Sequence, residues 1–331
     1  MVVPALQLHW RPFALALPRP LRTAHGTVSH KRGWLLQLRT ASGQLGWGEA
    51  APLAQGAGSS PDLAAAISAL GPAPGRAQLE EALAAGALPG PLAFAVGGAL
   101  AEADGLLAVT GWLQPPPSAQ LLPAGAAAVA SLEAALQALQ GGGAAGAAGL
   151  SFKWKVAVHS DNDERSVLEQ LLARLPPQAR LRLDANGHWP RPTAAAWAER
   201  LAADPRLQWF EQPLAPADQA GLDDLAQRLP VALDESLRHC PALRRQWSGW
   251  QVRRPSQEGD PRPLLAELGA GRPRLMLSTA FETGIGRRWL HHLAALQAQG
   301  PTPAAPGLAP GWQPTGPLLA TDPWQVWQAA S

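Results

Sequence analysis

The chain has 331 residues, 47% of them hydrophobic and 16% charged, with a formal net charge of +2. That length supports a sizeable core and more than one module, and the low charge content excludes a disordered, highly charged protein. Basic residues are scattered rather than gathered into a stripe interleaved with aromatics, so no nucleic-acid partner is expected.

The N-terminus has no charged segment leading into an apolar one. No apolar run reaches the roughly 18 residues that a membrane helix needs. The expectation is a soluble cytoplasmic protein with no membrane partner. Arg22-Thr23-Ala24-His25-Gly26 reads as a loop. Trp34–Arg39 and Gly46–Leu53 flank the turn Ala41-Ser42-Gly43 and predict a hairpin. Residues 61–70 and 78–85 read as helices, completing an α+β module over roughly the first hundred residues. Leu88–Asp104 reads as a buried Ala/Gly-rich helix, Ser118–Leu122 as a strand and Ala126–Leu139 as a helix. Gly141–Gly149 is low-complexity Gly/Ala, read as an overgrown loop between a helix and a strand. Further on, Pro301–Pro310 holds a short last strand near Gly307-Leu308, and the tail from Gly311 to Ser331 carries three tryptophans expected to pack on the first module.

Between these flanks, polar residues stand at the ends of short apolar runs with a near-constant period. Lys153-Trp154-Lys155 precedes Asp184 by 29 residues, counted from Lys155; Glu211 follows Asp184 by 27, Asp234 follows by 23, Arg254 by 20 and Ser278 by 24. Each gap is the length of a strand, a loop and a helix, so the pattern predicts a (β/α) barrel with these residues on its C-terminal rim. Asp184, Glu211 and Asp234 would converge there and repel one another without a cation between them. Hard oxygen ligands in that number suit Mg²⁺. Arg182 and Asn186 alternate with Asp184 and either touch this cluster or fill the barrel. Cys240, the only cysteine, cannot form an internal disulfide and is read as structural rather than nucleophilic.

In this order and spacing, Lys153-Trp154-Lys155, Asp184-Ala185-Asn186, Glu211-Gln212-Pro213 and Asp234-Glu235-Ser236 resemble the enolase superfamily. The branch is that of muconate lactonising enzymes, dipeptide epimerases and o-succinylbenzoate synthases. Gly46-Trp47-Gly48-Glu49-Ala50-Ala51-Pro52 resembles that branch's capping-domain motif. The resemblance implies an α/β fold, a (β/α)₇β modified TIM barrel with an α+β capping domain. Residues 1–100 would form the cap, completed by 311–331, and residues 101–310 the barrel. It also implies Mg²⁺ on Asp184, Glu211 and Asp234, with Lys155 as the base and Lys153 as the cation beside it.

The sixth strand end departs from the branch, which usually has Lys-Pro where this chain has Arg254-Pro255. An arginine does not readily lose its proton, so it cannot supply the second base that racemisation needs. A syn elimination needs only one acid/base, and Arg254 can serve as a cation beside the ring. Leu277-Ser278-Thr279-Ala280-Phe281-Glu282-Thr283-Gly284 is similar to the serine-rich segment of o-succinylbenzoate synthases, and Ser278 and Thr279 are expected to hold the succinyl carboxylate or to cap the next helix. Gly307 leaves room for a bulky acid, and Asn186 is a further substrate-binding candidate. The resemblance thus implies Mg²⁺-dependent dehydration of 2-succinyl-6-hydroxy-2,4-cyclohexadiene-1-carboxylate to 2-succinylbenzoate, a step in menaquinone or phylloquinone biosynthesis. The alternatives are a muconate-type cycloisomerase, which also uses one lysine, and a non-catalytic scaffold of the same fold.

Secondary candidates follow. Arg253 points away from Arg254. His188 lies in the loop after the Asp184 strand, Glu235 is expected near the metal through a lysine, and Glu282 also stands at a strand end. His291 and His292 are adjacent on a helix and lack the i, i+4 spacing of a metal pair. A small-molecule substrate is the expected partner; the oligomeric state is open.

Overall fold

The computed structural model describes residues 6–23, 26–53, 62–107, 111–141, 150–312 and 314–330. The described residues form two sheets. The first is antiparallel and three-stranded, β1 (Gln7–Thr23), β2 (Gly26–Arg39) and β3 (Leu45–Ala50), in that order. β1 is the element that sequence reading missed: its Pro12, Pro18 and Pro20 argue against a strand interior, but it pairs only with β2 and leaves its other edge free of sheet neighbours. Of the segment read as a loop, Arg22 and Thr23 end β1 and Gly26 begins β2, while Ala24 and His25 lie outside the described residues, as do residues 142–149 of the Gly/Ala stretch.

Against this sheet lies the helix Gly90–Ala103, buried along nearly its whole length. The two glycines of Gly46-Trp47-Gly48 account for the fit. A Cβ at Gly46 would collide with the carbonyl of Ala99, and one at Gly48 with that of Ala95. Trp47 points the other way, where Trp324 and Trp327 of the tail meet it edge-on at 4.9 and 5.7 Å. Its cluster with Phe13, Leu15, Leu35, Ile285 and Val326 joins tail, sheet and barrel. Shorter helices, Leu63–Leu70 and Arg76–Ala84, complete this end.

The second sheet is parallel, with seven strands in sequential order: β4 (Gln120–Leu122), β5 (Ser151–Lys155), β6 (Arg180–Asp184), β7 (Leu207–Glu211), β8 (Val231–Leu233), β9 (Trp250–Arg253) and β10 (Leu275–Leu277). Residues 306–308 close it. Gly307 bridges Ser278 in parallel, while the Ala119 amide and the Ser118 hydroxyl donate to the Pro306 carbonyl at 3.0 and 2.8 Å. The result is a (β/α)₇β barrel with an α+β cap. Leucines and tryptophans of alternate strand positions face the surrounding helices, as Phe152, Trp154, Leu181, Leu183 and Phe210 do. The opposite face fills the barrel with Trp209, Ala232, Val252 and Met276. No helix of the described residues is long and apolar enough to cross a membrane.

Candidate active site

Strand register brings the polar ends together. Lys153 stands opposite Arg182, Lys155 opposite Asp184, and Asp184 opposite Glu211. These residues share the barrel face because side chains alternate along a strand, and the parallel ladder sets neighbouring ends level. Lys153 Nζ lies 2.7 Å from Asp184 Oδ2 and also pairs with Glu211. Burial pulls its ammonium down, but the charges of Asp184 and Glu211 outweigh that and hold it above its ordinary value. Lys153 is therefore a fixed cation. Lys155, two residues on, is half-buried, and its side chain forms no hydrogen bond or ion pair among the described residues.

Across the mouth, Arg254 grips Asp234. Its Nη2 is 2.6 Å from Oδ2 and its Nε 3.1 Å from Oδ1, while Nη1 donates to the Thr279 carbonyl at 2.5 Å. Burial lowers its pKa, yet Asp234 raises it more, so the guanidinium stays charged. Arg254 thus binds the third carboxylate of the cluster, a contact the sequence did not suggest. Arg253, on the opposite face of β9, pairs with Glu258 at 2.7 Å.

Glu211 is fully buried, and burial together with the charges of Asp184 and Asp234 pushes its pKa up despite Lys153. That is the mark of negative charge crowded onto one rim. The three side chains offer oxygen only, the donor chemistry of a hard divalent ion. Among the described residues they do not form a ready-made three-ligand cage; Lys153 and Arg254 are the positive charges drawn in among them.

Gln212, quoted in the sequence motif without a role, supports Asp234. Its backbone has a positive φ of 36°, and its buried amide oxygen accepts from the Asp234 and Ser236 amides at 3.1 and 3.0 Å. Its Nε2 donates to Ser236 Oγ at 2.7 Å and to the Leu214 carbonyl at 3.0 Å. Asn186 also adopts a positive φ, 46°, letting its amide N–H reach Asp184 at 3.0 Å while its side chain donates to Glu235 at 3.1 Å. Burial and the charges of Asp234 and Asp184 push Glu235 up to about 7.

The structure corrects the readings of Glu235 and Thr279 and decides the one left open for Arg182. Glu235 meets Asn186 and Arg238 and no lysine. Arg182 is fully buried, bonded to Gln208 and the Ala305 carbonyl and stacked 4.2 Å from Trp209, so it fills the barrel. Thr279 does not offer its hydroxyl to the mouth: it donates to Glu282 at 2.6 Å and accepts from the Phe281 amide. The amides of Ser278, Thr279 and Ala280 are likewise engaged, with Arg253, Gly307 and Glu282. Ser278 Oγ has only a long contact, 3.4 Å, to the Gly307 carbonyl. Thr283, rather than Ser278 or Thr279, caps the helix Gly284–Gln299. Gly307 itself is pinned by β10, and a Cβ there would come 3.0 Å from Ser278 Oγ. Cys240 is exposed. His188 is exposed and bonds the Ala185 carbonyl. Burial and then Arg287 lower His291 to about 4, and burial lowers His292, whose ring accepts from the Leu113 amide.

Residues 132–247 match the family model of enolase C-terminal domain-like proteins. Over 332 aligned positions, covering 96% of both chains, the protein is 35% identical to the o-succinylbenzoate synthase of Thermosynechococcus vestitus. The chain belongs to the o-succinylbenzoate synthase family of the enolase superfamily. The crystal structure of a family member, from Thermosynechococcus elongatus and complexed with Mg in its active site, superposes with a TM-score of 0.77 at 32% identity, covering 97% of this chain and 99% of that one. The muconate lactonizing enzyme of Pseudomonas fluorescens shares the fold at 19% identity, with a TM-score of 0.66 over 88% of this chain and 84% of that one.

Proposed function

We propose that the protein is an o-succinylbenzoate synthase, a hydro-lyase converting 2-succinyl-6-hydroxy-2,4-cyclohexadiene-1-carboxylate to 2-succinylbenzoate in quinone biosynthesis. The observation that carries the reading is the asymmetry of the mouth. On one side stands Lys155, without a partner among the described residues; on the other stands Arg254, locked onto Asp234 and the Thr279 carbonyl. One base and one permanent cation suit a syn elimination and not a racemisation, which needs a base on each face. The full-length likeness to a synthase of this name favours dehydration over cycloisomerisation, and the retained lysines and carboxylates speak against an inert scaffold.

In this reading Asp184, Glu211 and Asp234 would hold Mg²⁺. The ion would supply the positive charge that makes a proton α to a carboxylate acidic enough to remove. Lys155 takes the proton from ring C1 and delivers it to the hydroxyl leaving C6, so that water departs and the ring becomes aromatic. Lys153 stays protonated and adds charge at the carboxylate end. Arg254 keeps Asp234 in place and lies beside the ring. Ser278, whose hydroxyl has only its long carbonyl contact, and Gly307 border the succinyl arm; Asn186 steadies Asp184, and Thr279 acts through its carbonyl on Arg254. Residues 1–100 with 311–331 serve as the cap and 101–310 as the catalytic barrel. The reaction belongs in the cytoplasm and involves no nucleic acid.

The experiment is the loss of diene absorbance when the cyclohexadiene substrate is added with Mg²⁺ and with chelator. Mg²⁺-dependent conversion that disappears in Lys155→Ala supports the assignment. Mg²⁺ binding without conversion moves it to cycloisomerisation, and neither binding nor conversion to the scaffold.

A further inference from the structure

The seam between cap and barrel contains a buried charged group that the reaction does not use. Lys31, on β2, is 2% exposed; Glu49, on β3, is 1% exposed; Glu282, after β10, is 3% exposed. Groups of this kind are almost never fully buried unless satisfied, because removing charge from water is costly. Here each has partners across the seam. Glu49 accepts from the Thr283 amide and hydroxyl at 2.8 and 2.6 Å and from the Gly286 amide at 3.1 Å, so a cap carboxylate neutralises the N-terminus of the barrel helix Gly284–Gln299. A Cβ at Gly286 would come 2.7 Å from that carboxylate. Glu282 accepts from Ser256 Oγ and Thr279 Oγ1, both at 2.6 Å, and from the Ala280 amide at 2.9 Å. Lys31 Nζ donates to the Ala280 carbonyl at 2.5 Å and lies 3.9 Å from Glu49.

These contacts lead to the mouth of the barrel. Glu282 ties Ser256, two residues past Arg254, to Thr279, whose carbonyl receives the Arg254 guanidinium. The loop between is strained at Phe281, φ 62°, a left-handed conformation that a non-glycine residue keeps only where its surroundings hold it. Lys31 reaches this loop from the cap, 249 residues away in sequence. Gln257 makes the second tie: its side chain bonds the Leu53 amide and the Ala51 carbonyl of the cap at 2.8 and 2.9 Å.

We propose that Lys31 and Glu282 are positioning residues: together they set the Thr279 carbonyl that keeps Arg254 against Asp234, so that seating of the cap and readiness of the metal-binding rim are coupled. This deepens the function proposed above and depends on it only for the activity readout. The effect acts through another residue, so turnover suffers more than substrate binding.

The test compares Lys31→Met, Lys31→Arg and Glu282→Gln in the full chain by steady-state kinetics and by hydrogen exchange. Lys31→Met is expected to lower kcat about tenfold or more with KM within about threefold, since small misplacements of a catalytic group cost rate steeply. Exchange at the Ala280 and Phe281 amides should quicken while that of β5, β6 and β7 is unchanged. Lys31→Arg, which retains a cationic donor, should recover most of the loss, and Glu282→Gln should fall between. A Lys31→Met protein with wild-type kcat and wild-type exchange overturns the proposal, and so does exchange that quickens evenly through the barrel. If the wild type performs no dehydration, the function assigned above fails, and the exchange pattern alone decides the coupling.

Discussion

Replacing Arg254 with glutamine separates its two tasks. Asp234 is 3% exposed, and Arg254 contacts both its oxygens, at 2.6 and 3.1 Å. Burial pushes the Asp234 pKa up, yet the charge and hydrogen bonds of Arg254 hold it below the ordinary value. Removing one partner of a buried pair costs about 3–5 kcal/mol; with Arg238 and Lys153 still acting on Asp234, about 3 kcal/mol is expected without metal. At an unfolding entropy of about 2 cal/mol/K per residue, a chain of this length then melts about 4 °C lower. A bound divalent ion supplies the missing charge, so saturating Mg²⁺ should reduce the deficit to about half or less. Differential scanning fluorimetry with Mg²⁺ and with chelator reads both states. A deficit of equal size in the two conditions, or none with chelator, would refute the reasoning, because Asp234 would then not depend on either cation.

Three further outcomes are expected. Lys155→Ala should lower kcat by about a hundredfold or more, the usual contribution of a general acid/base, and leave the melting temperature unchanged, since the Lys155 side chain bonds nothing among the described residues; the diene assay and a thermal melt check this together. Gln212→Leu strands the Asp234 and Ser236 amides in the interior and should cost about 2–4 kcal/mol, seen as a lower urea midpoint at constant slope. Glu102, which accepts from Arg288 at 2.6 Å, is raised by burial to about 7 despite that partner. A raised carboxyl contributes stability below its ordinary pKa of 4.5 and loses it as pH climbs through about 7. Relative to wild type, Glu102→Gln should therefore lose less stability in denaturant titrations as pH rises from about 4.5 to 7; equal changes in the two proteins would contradict the assignment.

The barrel was legible because its signals are local. A strand, loop and helix occupy twenty to thirty residues, so the polar ends of Lys153-Trp154-Lys155, Asp184, Glu211, Asp234 and Arg254 recur with a readable period. The pleat then puts alternate residues on one face, which is why Asp184 faces the mouth and Leu183 the helices. The same locality explains the hairpin around Gly43 and the buried helix after Pro89. β1 escaped because three prolines mask a strand that needs only one paired edge.

What each polar group touches was decided by tertiary structure. A hydroxyl or carboxylate has several partners in reach, and its choice depends on residues far along the chain. Thr279, expected to bind substrate or to cap the next helix, instead serves Glu282, and Arg182 found Trp209 and the Ala305 carbonyl inside the barrel. The hold of Arg254 on Asp234 requires two strand ends to be level, and the contact of Lys31 with Ala280 requires the cap to be docked. From residue types and their spacing alone came the chemistry available at the rim: three carboxylates, two lysines and an arginine in place of a base. Their pairing came only from folding, because the cost of burying a charge is met by whichever partner the packed chain brings within reach.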